Sequence, residues 1–149
     1  IYKSTMAMFI SEMLHHSIHE EEKNEQLFDF LEAGLHWFDN HDQIANFHLI
    51  LLLETTKHLG FYPDISEINF PFFDKREGNF SLFSSVDSLT EHETQLFKKL
   101  IELKFNNDQK TFHVTERQIV LNILIDYYLL HLDGFKKPKS LDVLKEVFS

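Results

Sequence analysis

Apolar residues return every third or fourth position through most of this chain, which predicts helix after helix. Met6, Phe9, Ile10, Met13, Leu14 and Ile18 mark a first amphipathic helix that runs into an acidic stretch. Asn24 then has the character of an N-cap, with Glu25 in the first turn, where the helix dipole favours negative charge. Leu27, Phe30, Leu31, Leu35 and Phe38 carry one face of this second helix to its expected end near Asp39 and Asn40. From Gln43 to Leu59 the pattern is apolar nearly all round, as in a helix surrounded by others. Gly60 and Pro63 should stop it.

Helical periodicity lapses between residues 61 and 88. Pro63, Asn69, Pro71, Gly78 and several Ser punctuate short aromatic segments there. A loop of that length inside a small domain usually has a function or a constraint of its own. Helical signals resume with two capping-box patterns, Thr90 with Glu93 and Thr115 with Gln118, separated by a polar turn at Asn106 to Lys110. Ser140 should cap a last helix whose apolar face is Leu141, Leu144, Val147 and Phe148. The expectation is an all-α bundle of about six helices with one irregular, aromatic-rich insertion at residues 61–88.

Length and composition narrow the class. The 149 residues suit one domain, and 43% hydrophobic residues with 16 Phe can fill a single core. No long apolar run is free of charge, which argues against a membrane span. The chain begins at Ile1 without a signal-peptide pattern and reads as a fragment of a cytosolic protein. With no Cys, disulfides and thiolate metal sites are excluded. A net charge of −10 should repel a phosphate backbone, so nucleic-acid contact would need a local basic patch.

Candidate chemistry is sparse. His15 and His19 share a helix face beside His16, near Glu20, Glu22 and Glu25, yet no H-E-x-x-H pattern completes a metal site. The expectation is no metal and no cofactor. Glu54 and Asp126 are carboxylates inside apolar runs and would need partners if buried. There is no nucleophile motif and no phosphate-cradling glycine loop, so enzymatic activity is not expected. Of the two Arg, Arg117 sits in a first helical turn, where the dipole disfavours it, and should have a carboxylate partner or a ligand. Lys136, Lys137 and Lys139 flank Pro138 in a compact positive spot suited to phosphate or an acidic tail.

Four segments, NFHLILLLETTKHLGFYPD (46–64), FDKREGNFS (73–81), ERQIVLNILIDYYLLHL (116–132) and KPKSLDVLKEVF (137–148), occur in an order and spacing that resembles the helical C-terminal domain of the RecO family. The resemblance implies a bacterial, cytoplasmic and nucleoid-associated recombination mediator in DNA repair. It implies an OB-fold domain upstream of Ile1 that carries most of the DNA binding, annealing of complementary strands, and recombinase loading with RecR. Many members carry a four-Cys zinc knuckle after the Leu-Gly turn; this chain has no Cys there, and Phe70, Phe72, Phe73 and Phe80 are expected to pack the loop instead. The resemblance also implies that an apolar groove edged by basic residues receives the acidic, Phe-terminated tail of single-strand-binding protein. The charges that suit this role are Lys57, Arg117, Lys136, Lys137 and Lys139. Two rival readings stay open: a His/Glu metal-dependent enzyme on a helical bundle, and a helical adaptor unrelated to DNA.

Overall fold

A computed structural model of the protein describes residues 2–18, 24–105 and 111–147. His19, the acidic run 20–22, the turn expected at 106–110 and Phe148 lie outside the described residues. Six helices occur among the described residues, α1 (Tyr2–Ser17), α2 (Glu25–Asp39), α3 (Phe47–Leu59), α4 (Glu91–Glu102), α5 (Val114–His131) and α6 (Leu141–Val147), with strands β1 (Phe72–Asp74) and β2 (Asn79–Ser81) between α3 and α4. The all-α bundle read from the sequence is the architecture found.

α3 is the middle of the bundle, and its composition explains why. Every residue from Phe47 to Leu53 is buried, so no side of its first two turns reaches water. Its neighbours are α2, α4 and α5, while Phe9 of α1 meets His48 edge-on at 6.1 Å. Each fully buried Leu, Ile or Phe contributes about 1.5–3 kcal/mol of transfer free energy, which makes this helix the main apolar investment of the fold. It is shorter than its pattern suggests. Gln43 to Asn46 precede it as non-helical chain ending in a turn at Ala45 and Asn46, and Ile44 is buried from that backbone. The apolar run therefore includes one residue whose burial is tertiary. At the other end Gly60 takes φ 92° and its N–H donates to the Thr56 carbonyl.

Local signals set the other boundaries. Asn24 accepts from the Leu27 N–H at 3.0 Å. Thr90 and Glu93 form a reciprocal capping box. α5 differs from the expectation: it starts at Val114, and the box residue is Glu116, which accepts from the His113 N–H at 2.9 Å. A carboxylate two residues earlier outcompetes the Thr115–Gln118 pair because a charged acceptor makes the stronger bond.

The insertion is more ordered than its sequence suggests. β1 and β2 pair antiparallel, with Phe73 opposite Phe80. Asp74 makes the turn, its Oδ1 accepting from the Arg76 and Glu77 N–H groups at 2.9 and 3.0 Å, with Gly78 in the left-handed region at φ 70°. A lone hairpin is marginal in water. This one is held by burial of Phe73 against Phe97 and Tyr127, with the buried Phe80 packed on Phe73, and by the Phe73 N–H donating to Thr94 Oγ1 at 3.1 Å. Phe70 packs partly buried against the core and Phe72 is half-buried, whereas Phe83 and Val86 are exposed.

α5 packs on α3, and two tyrosines bond it to α3 and to the segment just after it. The Tyr128 hydroxyl donates to the Leu52 carbonyl and the Tyr127 hydroxyl to the Phe61 carbonyl, both at 2.6 Å. α6 closes the far side against α1, burying Leu141 and Leu144.

Candidate docking site

Three elements converge beside the first turns of α5. Val114, Arg117, Gln118 and Leu121 of α5, Leu144 and Lys145 of α6, and His48 of α3 line one small pocket. The spacing explains the α5 contribution, since positions 114, 117, 118 and 121 share one face of a helix. Leu121, Leu144 and His48 are buried, so the floor is apolar apart from one imidazole; Arg117 and Lys145 form the rim.

The electrostatics of this pocket are one-sided. Arg117 is half-buried, and desolvation lowers its pKa. The carboxylate partner expected from its position in the helix is not what it has. Its guanidinium donates to the Phe112 carbonyl at 2.9 Å, and among the described residues it forms no ion pair. A carbonyl satisfies one donor of five and leaves the positive charge uncompensated. Beneath it His48 is held neutral: burial, and then the neighbouring Arg117 charge, push its pKa down to about 3. Lys145 Nζ donates to Asn122 Oδ1 at 2.8 Å, a neutral partner. The site is thus a cationic rim over an apolar floor, without a described acid to neutralise it.

The other sequence candidates fall in different places. Lys57 is nine residues beyond His48 on α3, about 13 Å along the axis. Its Nζ pairs with Glu54 at 2.9 Å and sits over the Tyr62 ring at 4.6 Å. The hydrogen bond to Glu54 is the main reason its pKa is raised. No described contact joins it to Arg117. Lys136, Lys137 and Lys139 are exposed on the connector between α5 and α6. That connector is fastened to α1: Glu12 accepts from the Lys139 and Ser140 N–H groups at 2.8 and 2.9 Å, and His16 Nδ1 meets the Lys136 carbonyl at 2.7 Å. The connector leads into the helix that supplies Leu144 and Lys145, six residues or about 9 Å beyond Lys139.

His48, Val114, Gln118, Leu121, Leu144 and Lys145 did not stand out in the sequence. The signal available was His48, an ionisable side chain in the first turn of an otherwise apolar helix. Leu121 and Leu144 carry no mark that separates a pocket lining from ordinary core. Glu54 and Asp126, singled out as carboxylates in apolar runs, are part-exposed and exposed, Asp126 lying 3.9 Å from Lys75. Among the described residues no three His, Asp or Glu converge as metal ligands; His15 is exposed and His16 is engaged with the connector. No helix among the described residues is long and apolar enough to cross a membrane.

Comparison with known proteins gives a consistent answer. The family model described as "Recombination protein O C terminal" matches residues 1–142. Among curated relatives, a protein of Flavobacterium psychrophilum named "DNA repair protein RecO" is 73% identical across 100% of this chain. Proteins of the same name from Flavobacterium johnsoniae and Christiangramia forsetii are 68% and 43% identical, over 100% and 98% of the chain. The chain spans 63%, 63% and 62% of the lengths of these three relatives. No solved structure matches it.

Proposed function

The chain belongs to the RecO family, as a C-terminal domain of the DNA repair protein RecO, and from that premise we propose that it acts as a docking platform rather than as a catalyst. The occupant of the Arg117 pocket is the acidic, aromatic-ended tail of single-strand-binding protein. One observation carries this reading: a half-buried guanidinium, without a carboxylate partner among the described residues, stands at the rim of an apolar pocket. A desolvated cation of that kind rewards an incoming carboxylate, since charge-assisted bonds are strongest where water is excluded. Val114, Leu121 and Leu144 offer the apolar contact that an aromatic side chain would use. In the whole protein this docking would serve strand annealing and recombinase loading with RecR, the DNA being held mainly by an OB-fold domain.

Lys145 belongs to the same rim, and Lys136, Lys137 and Lys139 would steer the approach of an acidic peptide. Lys57, already paired with Glu54, contributes least.

The test is titration of a labelled acidic peptide ending in Phe against the wild-type chain, Arg117→Ala and Lys57→Ala. Arg117→Ala should weaken binding by tenfold or more, on the order of 1.5–3 kcal/mol for a charged hydrogen bond, while Lys57→Ala changes little. Equal binding by wild type and Arg117→Ala would remove the pocket from the site. Stoichiometric zinc or nickel in elemental analysis of the purified protein would favour the metal-enzyme reading instead.

A further inference from the structure

The pocket is too small for the occupant just assigned to it. Its free volume is about 20 Å³, room for roughly one water molecule. No aromatic side chain enters without movement of a wall. Two of the three walls belong to the central helix α3 and to the 18-residue α5. The third, α6, has seven residues and lies on the outside of the bundle.

α6 is fastened unevenly. Its N-terminal side is held twice to α1, by Glu12 accepting from the Lys139 and Ser140 N–H groups and by His16 at the Lys136 carbonyl. These two α1 residues are four apart and share a face, so they act as one clip. The described polar contact between α6 and α5 is the exposed Lys145–Asn122 hydrogen bond, 2.8 Å long. Between clip and latch sits Leu144, a buried side chain that also lines the pocket. Two turns of helix are marginal on their own, so α6 depends on its packing against α1 and on these few contacts.

From this arrangement, and resting on the reading of the Arg117 pocket as a docking site, we propose that α6 is a hinged flap. It is pinned at its start by the Glu12–His16 clip, latched to α5 by Lys145 and Asn122, and lifts Leu144 out of the pocket wall to admit the ligand. Glu12 is a positioning residue: it holds the hinge and does not touch the occupant. The closed state lowers apparent affinity by the fraction of molecules that are open.

The absence of Cys from the chain makes opening directly measurable. A single Leu121→Cys places a thiol on the pocket floor, and its alkylation by iodoacetamide reports opening with no ligand present. Adding Asn122→Ala, which removes the latch and frees Lys145 while every side chain lining the pocket stays in place, should raise the alkylation rate about fivefold, as expected for loss of one hydrogen bond. Amide exchange across 141–147 in the Asn122→Ala chain, with Leu121 intact, should accelerate similarly and covers the case in which Leu121→Cys does not fold. In peptide titrations Asn122→Ala should bind more tightly by up to the same factor. Equal alkylation and equal exchange with and without Asn122→Ala overturn the flap, whatever the peptide does. Faster opening with no peptide bound by either protein leaves the flap standing and removes the proposed occupant.

Discussion

His48 is a base that the fold keeps uncharged, and this has a measurable cost at low pH. Its folded pKa is pushed from 6.5 to about 3, first by burial and then by Arg117. Above pH 6.5 both folded and unfolded chains carry a neutral imidazole, so the group adds no pH dependence there. Below that value the unfolded chain binds a proton that the folded chain refuses, so stability falls as the pH falls. The slope approaches 1.4 kcal/mol per pH unit for one such group. Urea melts between pH 6 and pH 5 should therefore lose about 1 kcal/mol, and His48→Leu should remove most of that loss. The carboxylates with lowered pKa values, Glu12, Asp64 and Glu116, act in a lower window, stabilising above about pH 4.5 and less below it. If His48→Leu leaves the slope between pH 6 and 5 unchanged, the imidazole is not buried in the neutral form. Tyr128 is the second residue of this kind. Its hydroxyl is fully buried, burial raises its pKa, and its bond to Leu52 joins α5 to α3. Tyr128→Phe should cost about 1–2 kcal/mol in the same melts.

Among the elements, the hairpin shows what local pattern reading finds and what it misses. The turn was legible at Gly78, a residue type that a tight turn requires, whereas the part played by Asp74 came only with the structure. The strands were not legible: each is three residues long, and Phe73 is buried against Phe97 and Tyr127 from distant parts of the chain, with Phe80 packed on Phe73. Caps behaved in the opposite way. Those at Asn24 and Thr90 were readable because donor and acceptor lie within one turn, whereas at α5 the pattern pointed to Thr115 with Gln118 and the structure uses Glu116 with the His113 N–H. Two glycines make the contrast testable. Gly60 has φ 92° and open space around its Cβ position, so Gly60→Ala meets backbone strain alone, about 1 kcal/mol. Gly78 has φ 70° and, in addition, Tyr127 Oη 3.0 Å from where a Cβ would stand. Gly78→Ala must strain the turn and displace the hydroxyl that donates to Phe61. It should cost about 2–3 kcal/mol, clearly more than Gly60→Ala. Equal midpoint shifts for the two variants would mean that the hairpin is not seated on Tyr127.

For the whole molecule, charge and burial divide the possible partners. The bundle and its central helix were legible because apolar periodicity is a property of each segment. The pocket was not, because it is assembled from α3, α5 and α6, and no segment alone shows it. A net charge of −10 is often taken to exclude every anion, yet the two anions of interest meet different parts of that charge. A short peptide with one aromatic end needs one pocket. Screening over about 8 Å at physiological salt hides most acids beyond the rim from it. A nucleic-acid strand must lay several phosphates across the surface, and its affinity depends on releasing counterions from each. The basic spot at Lys136, Lys137 and Lys139 is too short for that, with Asp133 in the same connector and Glu12 of α1 bonded to it. The chain should therefore bind labelled oligothymidylate with a dissociation constant weaker than about 10⁻⁴ M at physiological salt, in a fluorescence anisotropy titration in which the acidic peptide still binds. Tight oligonucleotide binding that persists at that salt, and is lost in a Lys136, Lys137 and Lys139 triple alanine variant, would move the nucleic-acid contact into this domain.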